Sequence, residues 1–467
     1  MAAERWEFWI DVGGTFTDCL AKCPDGSLRR HKLLSSGVTK GRAAAESSQG
    51  VIVDPQRRGD PPGFWVGWQL AIVDEAGQSF DSATVTEFDA ATGRLRLRGL
   101  AHSPALNAAY ELRCGEEAPV VAIRYLLGLP LAEMVPPASL RLGTTRGTNA
   151  LITRGGARTA LVTTRGFGDV LEIGYQARPR LFDLTVRKPP PLTATVCEID
   201  ERVTHDGQVL AAPVEAVLRQ QMHSLADAGI ESLAICLLHA DRHGDHERLV
   251  VRAASAVGFR EISCSSIVAP LPKLVARADT TVVDAYLNPV LREYVERLRT
   301  SLPGSPLRLL TSAGGLAAAE SFCGKDSILS GPAGGVVGFS RVAQAAGFER
   351  AIGFDMGGTS TDVSRFDGRF ELEFETRKAG VRLVAPTMAI ETVAAGGGSI
   401  CRFDGVKLVV GPESAGADPG PACYGRGGPL TVTDCNFYLG RIVAERFPFP
   451  LDRMATERKL KQLATEV

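Results

Sequence analysis

WIDVGGTFTDCL, residues 9–20, sets two adjacent glycines between an apolar run and a threonine-aspartate pair, and GFDMGGTSTDVS, residues 353–364, repeats the arrangement. Laid over each other, Ile10–Asp18 and Phe354–Asp362 share six of nine residues: Asp11/Asp355, Gly13/Gly357, Gly14/Gly358, Thr15/Thr359, Thr17/Thr361 and Asp18/Asp362. The copies lie 344 residues apart, far beyond the period of a solenoid, so the repeat reads as two related subdomains.

The flanks of the two copies also match. In the first, an apolar strand near residues 6–10 meets the glycines, a second strand runs to Cys23, Asp25-Gly26 turns, and Leu28–Leu34 returns. In the second, Ala351–Phe354 meets Gly357-Gly358, a strand crosses Val363, Asp367-Gly368 turns, and Phe370, Leu372 and Phe374 alternate with Glu371, Glu373 and Glu375. Period-two alternation around an Asp-Gly turn predicts a three-stranded meander in each copy. Between the copies the pattern predicts strands at Leu233–Leu238, Glu261–Ile267 and Leu307–Leu310, and helices at Glu247–Ala256, Thr280–Thr300 and Gly334–Ala346. Strands separated by helices favour parallel pairing, so the fold class is α/β.

Residues 43–63 are rich in small and charged residues, and Thr84–Phe88 and Leu95–Leu97 read as small hairpins, which places an insertion near residues 43–130. Pro189–Pro191 must be extended, because each proline disfavours helix in its predecessor. A boundary is expected there, dividing the chain into regions 1–190, 191–350 and 351–467.

With 52 Lys+Arg against 53 Asp+Glu, nothing draws the 467-residue chain as a whole to nucleic acid or to an acidic membrane. The ten cysteines are dispersed with no C-x-x-C pair, which argues against a disulfide framework, a zinc ribbon or an iron–sulfur cluster. The N-terminal apolar run is too short for a signal peptide, and no stretch approaches the roughly 18 apolar residues of a membrane helix. A soluble protein of the reducing cytoplasm is expected.

Two consecutive glycines let backbone approach a ligand and turn N–H groups toward it, which suits phosphate oxygens. Thr15, Thr17, Thr359, Ser360 and Thr361 add hydroxyls, and Asp11 and Asp355, at strand ends, are placed to hold Mg²⁺ beside a polyphosphate. Two such loops facing each other would clamp one nucleotide. A tight hairpin turn would also use Gly-Gly, yet it does not need acidic and hydroxyl residues at the same offsets twice. Neither G-x-x-x-x-G-K-[ST] nor G-x-G-x-x-G after a strand occurs, which removes the P-loop and the Rossmann site. Gly396, Gly397 and Gly398 read either as a ligand contact or as a turn cluster. SGPAGGVVG, residues 330–338, opens a helix whose N-terminus suits an anion, although close packing explains its glycines equally well. RLGTTRGTN, residues 141–149, carries donors for a carboxylate or phosphate but would look the same as an exposed loop. His239, His243 and His246 have metal-like spacing at a strand end and helix start, and read as polar loop residues unless they converge.

These motifs resemble the hydantoinase A/5-oxoprolinase family, within the acetate and sugar kinase/Hsc70/actin superfamily. The resemblance is carried by both Asp-x-Gly-Gly-Thr turns, by residues 141–184, and by LLTSAGGL, SGPAGGVVG, VAAGGGSI and GADPGPACYGRGGPLTVTDCNFYLGR. It implies duplicated actin-like (ribonuclease H-like) ATPase lobes. It also implies ATP and Mg²⁺ as cofactors, with phosphoryl activation of a cyclic amide oxygen, of 5-oxoproline or hydantoin type, completed by a hydantoinase B-like domain or subunit. On this reading Asp11 and Asp355 are catalytic and metal-holding. The nucleotide is bound by Gly13, Gly14, Thr15, Thr17, Gly357, Gly358, Thr359, Ser360, Thr361 and Gly396–Gly398. The family pattern runs well beyond the stretch matching Val467, so a fragment, a split gene product or one subunit is expected, as is a homo-oligomer. Two readings stay open beside it: an ATP-operated binding protein without chemistry of its own, and the ATPase subunit of an acetone- or acetophenone-type carboxylase. A sugar or acyl kinase fits the superfamily but not GADPGPACYG.

Overall fold

The computed structural model describes residues 5–467 except 15, 75–77, 177–181, 183, 186–187, 417–418, 426, 445–446 and 448–450. It divides into two compact units, Met1–Gly334 with Glu373–Thr387, and Gly335–Leu372 with Met388–Val467.

In the first unit, strands β1 (Glu7–Val12), β2 (Phe16–Lys22) and β3 (Leu28–Leu34) form the expected antiparallel meander. Strand β4 (Ser139–Thr144) pairs parallel with the other edge of β1, and Leu307–Leu310 and Leu316–Ala318 complete six strands. Phe8, Ile10 and Val12 of β1 and Thr17, Cys19 and Ala21 of β2 are buried, while their neighbours face the other way. Each buried Phe, Ile or Val contributes roughly 1.5–3 kcal/mol, so a one-residue slip that turned this set outward is strongly disfavoured.

A second, wholly parallel sheet runs Thr193–Ile199, Thr159–Thr164, Ser232–Cys236, Glu261–Cys264. All six residues of Thr159–Thr164 are buried, as expected where both faces of a parallel strand are covered. Helix α1 (Leu274–Ser301) begins six residues before the expected Thr280. The boundary expected at Pro189–Pro191 does not divide the chain. Strand Thr193–Ile199, after the prolines, pairs with Thr159–Thr164, before them, so the prolines are an extended connection within one unit.

The insertion is a six-stranded antiparallel sheet, in the order Thr39–Arg42, Ala109–Arg113, Gln69–Val73, Ser79–Asp89, Arg94–Arg98, Val51–Val53. Its core holds Phe64, Trp65 and Trp68, with Asp60 accepting from Trp65 Nε1 at 2.9 Å and from Tyr125 Oη at 2.8 Å.

Helix α2 (Ser330–Ala345) starts four residues earlier than its pattern suggested, because Pro332 is tolerated in a first turn. The division between the units falls within it. The second unit then begins its sheet with β5 (Arg350–Met356) and β6 (Thr361–Asp367). Here the sequence expectation fails in one respect: the third strand is Glu391–Val393, and the alternating residues 370–375 do not supply it. After one bridge, Phe366 to Phe370, the chain leaves this unit at Leu372 and contributes Glu373–Thr387 to the first.

Glu247 shows what holds the parallel sheet to its helices. Wholly buried, it accepts from Leu237 N at 3.0 Å, Ser266 N at 2.9 Å, Ser265 Oγ at 2.5 Å and Cys264 Sγ at 2.9 Å. Each donor stranded in the interior costs about 1–3 kcal/mol, so Glu247→Ala is expected to lower the stability of the first unit by roughly 3–5 kcal/mol in chemical denaturation. Glu296→Ala, at an exposed position of α1, should stay within about 0.5 kcal/mol of the parent. Equal midpoints for the two variants would refute this account of Glu247.

Candidate functional site

The first glycine turn is closed by Gly13 N donating to Phe16 O at 3.0 Å. A Cβ on Gly13 would lie 3.0 Å from that same oxygen, so a side chain there would push on the bond that closes the turn. Thr17 lies beneath, wholly buried, its Oγ1 2.9 Å from Ser35 Oγ, which in turn donates to Gly13 O at 2.8 Å. Its hydroxyl braces the turn from the core side. Asp18, on the exposed face, takes Lys32 Nζ at 2.6 Å. Gly14 is exposed, the nearest atom to its would-be Cβ being Asn149 Nδ2 at 3.9 Å, and Thr15 lies outside the described residues.

Asp11 stands where three chain ends converge. Its neighbours in β1 are buried, so parity turns Asp11 to the exposed face. A Cβ on Gly143, at the end of β4, would sit 3.3 Å from Asp11 Oδ1, and one on Gly331, in the first turn of α2, would sit 3.9 Å from it and 3.1 Å from Thr145 Cγ2. Glycine at both positions keeps these two places beside the carboxylate free of side chains. The start of α2 is pinned there by Ser330 Oγ donating to Thr144 O at 2.7 Å and Leu329 N to Thr148 Oγ1 at 3.0 Å. A Cβ on Gly147 would collide with Ser327. The result is a carboxylate beside a helix N-terminus and open glycine backbone, a combination suited to a phosphate and its counter-cation.

Residues 141–149 therefore do lie beside Asp11, but their arginines are occupied elsewhere. Arg141 donates to Glu7 at 2.7 Å, and Arg146 donates to Glu117 at 2.5 Å and stacks 4.1 Å above the Tyr294 ring. Gly143 and Thr145 are what the loop offers to the site, and the arginine-rich pattern did not single them out.

The second turn repeats the first in its own unit. Gly357 N donates to Ser360 O at 2.9 Å, and the pairs Asp355/Asp362 and Met356/Thr361 repeat Asp11/Asp18 and Val12/Thr17. Asp355, Gly357, Gly358 and Thr359 are exposed and Ser360 is half-buried. Thr361 is buried like Thr17 but donates to Ala395 O at 2.5 Å, and Asp362 accepts from Thr392 Oγ1 at 2.9 Å. Gly396–Gly398 sit directly on this turn. Gly397 N donates to Gly357 O at 2.9 Å and Gly398 N to Gly358 O at 2.7 Å, and a Cβ on Gly396 would come within 2.7 Å of Gly358 C and O and Thr359 N. Backbone seated on backbone explains the glycine at 396, while Cβ atoms at 397 and 398 would meet Thr433 Oγ1 and Ser414 Oγ, each at 2.7 Å.

The histidines do not converge. His243 Nε2 lies 3.2 Å from His205 O, and buried His246 Nδ1 lies 2.7 Å from Glu201 Oε2. Among the described residues no group of three or more His, Cys, Asp or Glu is arranged to hold a metal ion. No described helix is long and apolar enough to cross a membrane.

Residues 104–258 match the model of the hydantoinase/oxoprolinase N-terminal region, and residues 277–467 match that of hydantoinase/oxoprolinase. The chain belongs to the hydantoinase/oxoprolinase family. Most strands of the inserted sheet lie before residue 104, outside both matches. Among family relatives, the 5-oxoprolinase of Saccharomyces cerevisiae is 43% identical over 374 residues, covering 71% of this chain and 29% of that protein. The caprolactamase subunit alpha of Pseudomonas jessenii is 34% identical over 332 residues, covering 67% and 47%. The crystal structure of the ATP-dependent caprolactamase from Pseudomonas jessenii superposes with a TM-score of 0.68 at 27% identity, over 97% of this chain and 58% of that one. Nucleotide-free acetone carboxylase, at a TM-score of 0.62 and 21% identity over 99% and 59%, shares the fold. The chain spans 29% to 31% of the length of the 5-oxoprolinases of yeast and Arabidopsis thaliana.

The seating of Gly396 on the second turn can be tested by thermal and chemical unfolding. Gly396→Ala should destabilise the second unit by about 1–3 kcal/mol through overpacking. Gly358→Ala, whose Cβ would meet nothing within 4 Å, should leave stability unchanged. Comparable losses from both would contradict the packing described.

Proposed function

We propose that this chain supplies the ATP site of an ATP-dependent hydrolase of cyclic amides, of the 5-oxoproline or hydantoin type. The observation that carries this reading is the glycine turn built twice in one hydrogen-bond register, each time with an outward carboxylate two residues before its first glycine. The duplication supports a pair of actin-like lobes. The names of relatives, 5-oxoprolinases and a caprolactamase subunit, support the reaction class.

ATP supplies the phosphoryl group that turns a poor leaving oxygen into a good one. The chain's own part is positioning and charge control, the two demands of phosphoryl transfer. Asp11 and Asp355 would hold Mg²⁺. The exposed backbone at Gly14, Gly357 and Gly358, the hydroxyl of Thr359 and the N-terminus of α2 would receive phosphate oxygens. Thr17 and Thr361, with their hydroxyls turned inward, keep each turn in shape. The chain's share of its relatives' length supports a second domain or subunit, of hydantoinase B type, for the hydrolytic step.

Asp11→Asn and Asp355→Asn should each lower amide-stimulated ATP hydrolysis by about 100-fold or more, the scale of losing one preorganised electrostatic group. The assay uses 5-oxoproline and hydantoins with a candidate partner chain present. Parental rates in both single variants, with unchanged unfolding, would discard the assignment. ATP turnover indifferent to every amide would favour a nucleotide-operated binding protein instead.

A further inference from the structure

A separate cavity of about 320 Å³ opens in the first unit, walled by the first turns of α1, the proline run and the hairpin formed by Thr376–Lys378 and Val381–Leu383. The hairpin is firmly seated. A Cβ on Gly380, which has φ +78°, would lie 2.8 Å from Pro189 Cγ; Val384 N donates to Thr280 Oγ1 at 3.0 Å; and Arg154 Nη2 reaches Ala379 O at 3.4 Å.

Its charge arrangement needs an explanation. Arg377 and Arg382 are directly opposite in the hairpin register, and both line the cavity. Opposite residues of an antiparallel pair share a face, and like charges so placed are destabilising. Arg382 is nine-tenths buried, with a side-chain exposure of 10%, and stacks 4.0 Å from the Tyr175 ring. Its Nε lies 3.0 Å from Glu375 without hydrogen-bond geometry, and its Nη1 has no hydrogen-bond partner among the described residues. Lys188, also in the lining, donates to the carbonyls of Glu172 and Ile173. The remaining charged lining residue is Asp279 of α1, which hydrogen-bonds to no described residue. Burial pushes its carboxyl up to about 6, against the pull of Arg382 and Arg377. The walls are otherwise largely apolar, with Val275, Val282 and the prolines.

Two guanidiniums on one face match a carboxylate, which accepts paired N–H donors. A half-buried carboxylate with no hydrogen-bond donor among the described residues matches a ligand N–H. The volume, at the lower end of the roughly 300–1,000 Å³ of small-molecule sites, sets a compact body between these ends. We propose that this cavity binds a small carboxylic acid bearing an N–H donor beside its carboxylate, with Arg377 and Arg382 on the carboxylate and Asp279 on the N–H. The site stands apart from the nucleotide reading and is tested without nucleotide.

The test is calorimetric titration of the full chain with 5-oxoproline, with L-proline, and with 2-pyrrolidinone, which keeps the ring and N–H but lacks the carboxylate. At least one acid should bind saturably, and the neutral lactam about tenfold or more weaker, the scale of lost charge-assisted hydrogen bonds. Arg377→Gln, on an exposed side chain, should keep the parental unfolding temperature and weaken the acid about tenfold while leaving the lactam unchanged. Arg382→Gln should act alike, and Arg377→Gln decides the matter if that variant does not fold. Asp279→Asn should weaken the acid without lowering the unfolding temperature at pH 8. Binding by neither acid, lactam bound as tightly as the acids, or parental acid binding in the folded arginine variants would overturn the proposal.

Discussion

The parity of β1 is the constraint on which the candidate site rests. Phe8, Ile10 and Val12 enter the core, and with a side-chain period of two that commits Asp11 to the opposite face at the last turn of the strand. Moving Asp11 inward would require withdrawing three apolar side chains from the core and burying a carboxylate without a donor. The hydrophobic core therefore sets the face on which the site is built. Gly143 and Gly331 complete it by omission, since a Cβ at Gly143 would press on the carboxylate and one at Gly331 on Thr145 beside it.

The two turns show how one motif is supported by different means. Both close with the same N–H to carbonyl bond across four residues, and both bury the threonine that follows. In the first unit the brace is Ser35, just past the end of β3, linking Thr17 to Gly13 O. In the second it is the backbone of Ala395–Gly398, which takes the Thr361 hydroxyl and returns N–H groups to Gly357 and Gly358. Capping of helix Val432–Tyr438 extends that support: Thr431 and Asp434 form a reciprocal cap, and Thr433 N donates to Gly397 O at 2.7 Å. Rigid scaffolding beneath an exposed glycine tip keeps the tip open while limiting its motion.

Charged side chains in this fold are mostly committed to partners, which makes the exceptions informative. Glu247 satisfies four donors at once, and Arg124 chelates Glu116 through two nitrogens while reaching two carbonyls. Arg382 departs from this rule, buried with an idle nitrogen and facing a second arginine. Its ion pair with Glu375 leaves Nη1 without a hydrogen bond, and a buried donor left unmade is costly.

The α/β class, the parallel pairing, the first meander and both glycine turns follow from residue order alone, because period-two burial and Gly-Gly or Asp-Gly turns are local. Tertiary structure decided what local pattern cannot express. Residues 370–375 alternate as a strand should, yet the sheet edge beside β6 is taken by Glu391–Val393, since pairing is chosen by which segment arrives there and the chain has already crossed to the other unit. Pro189–Pro191 look like a linker but lie within a unit, because the pairing of Thr193–Ile199 with Thr159–Thr164 spans them. Gly396–Gly398 come to seat the second turn, and Gly143 and Gly331, each within a segment whose pattern suited an anion, come to flank Asp11. Whether a glycine leaves room for a ligand or for the protein's own backbone is settled by what the rest of the chain brings within a few ångströms of it.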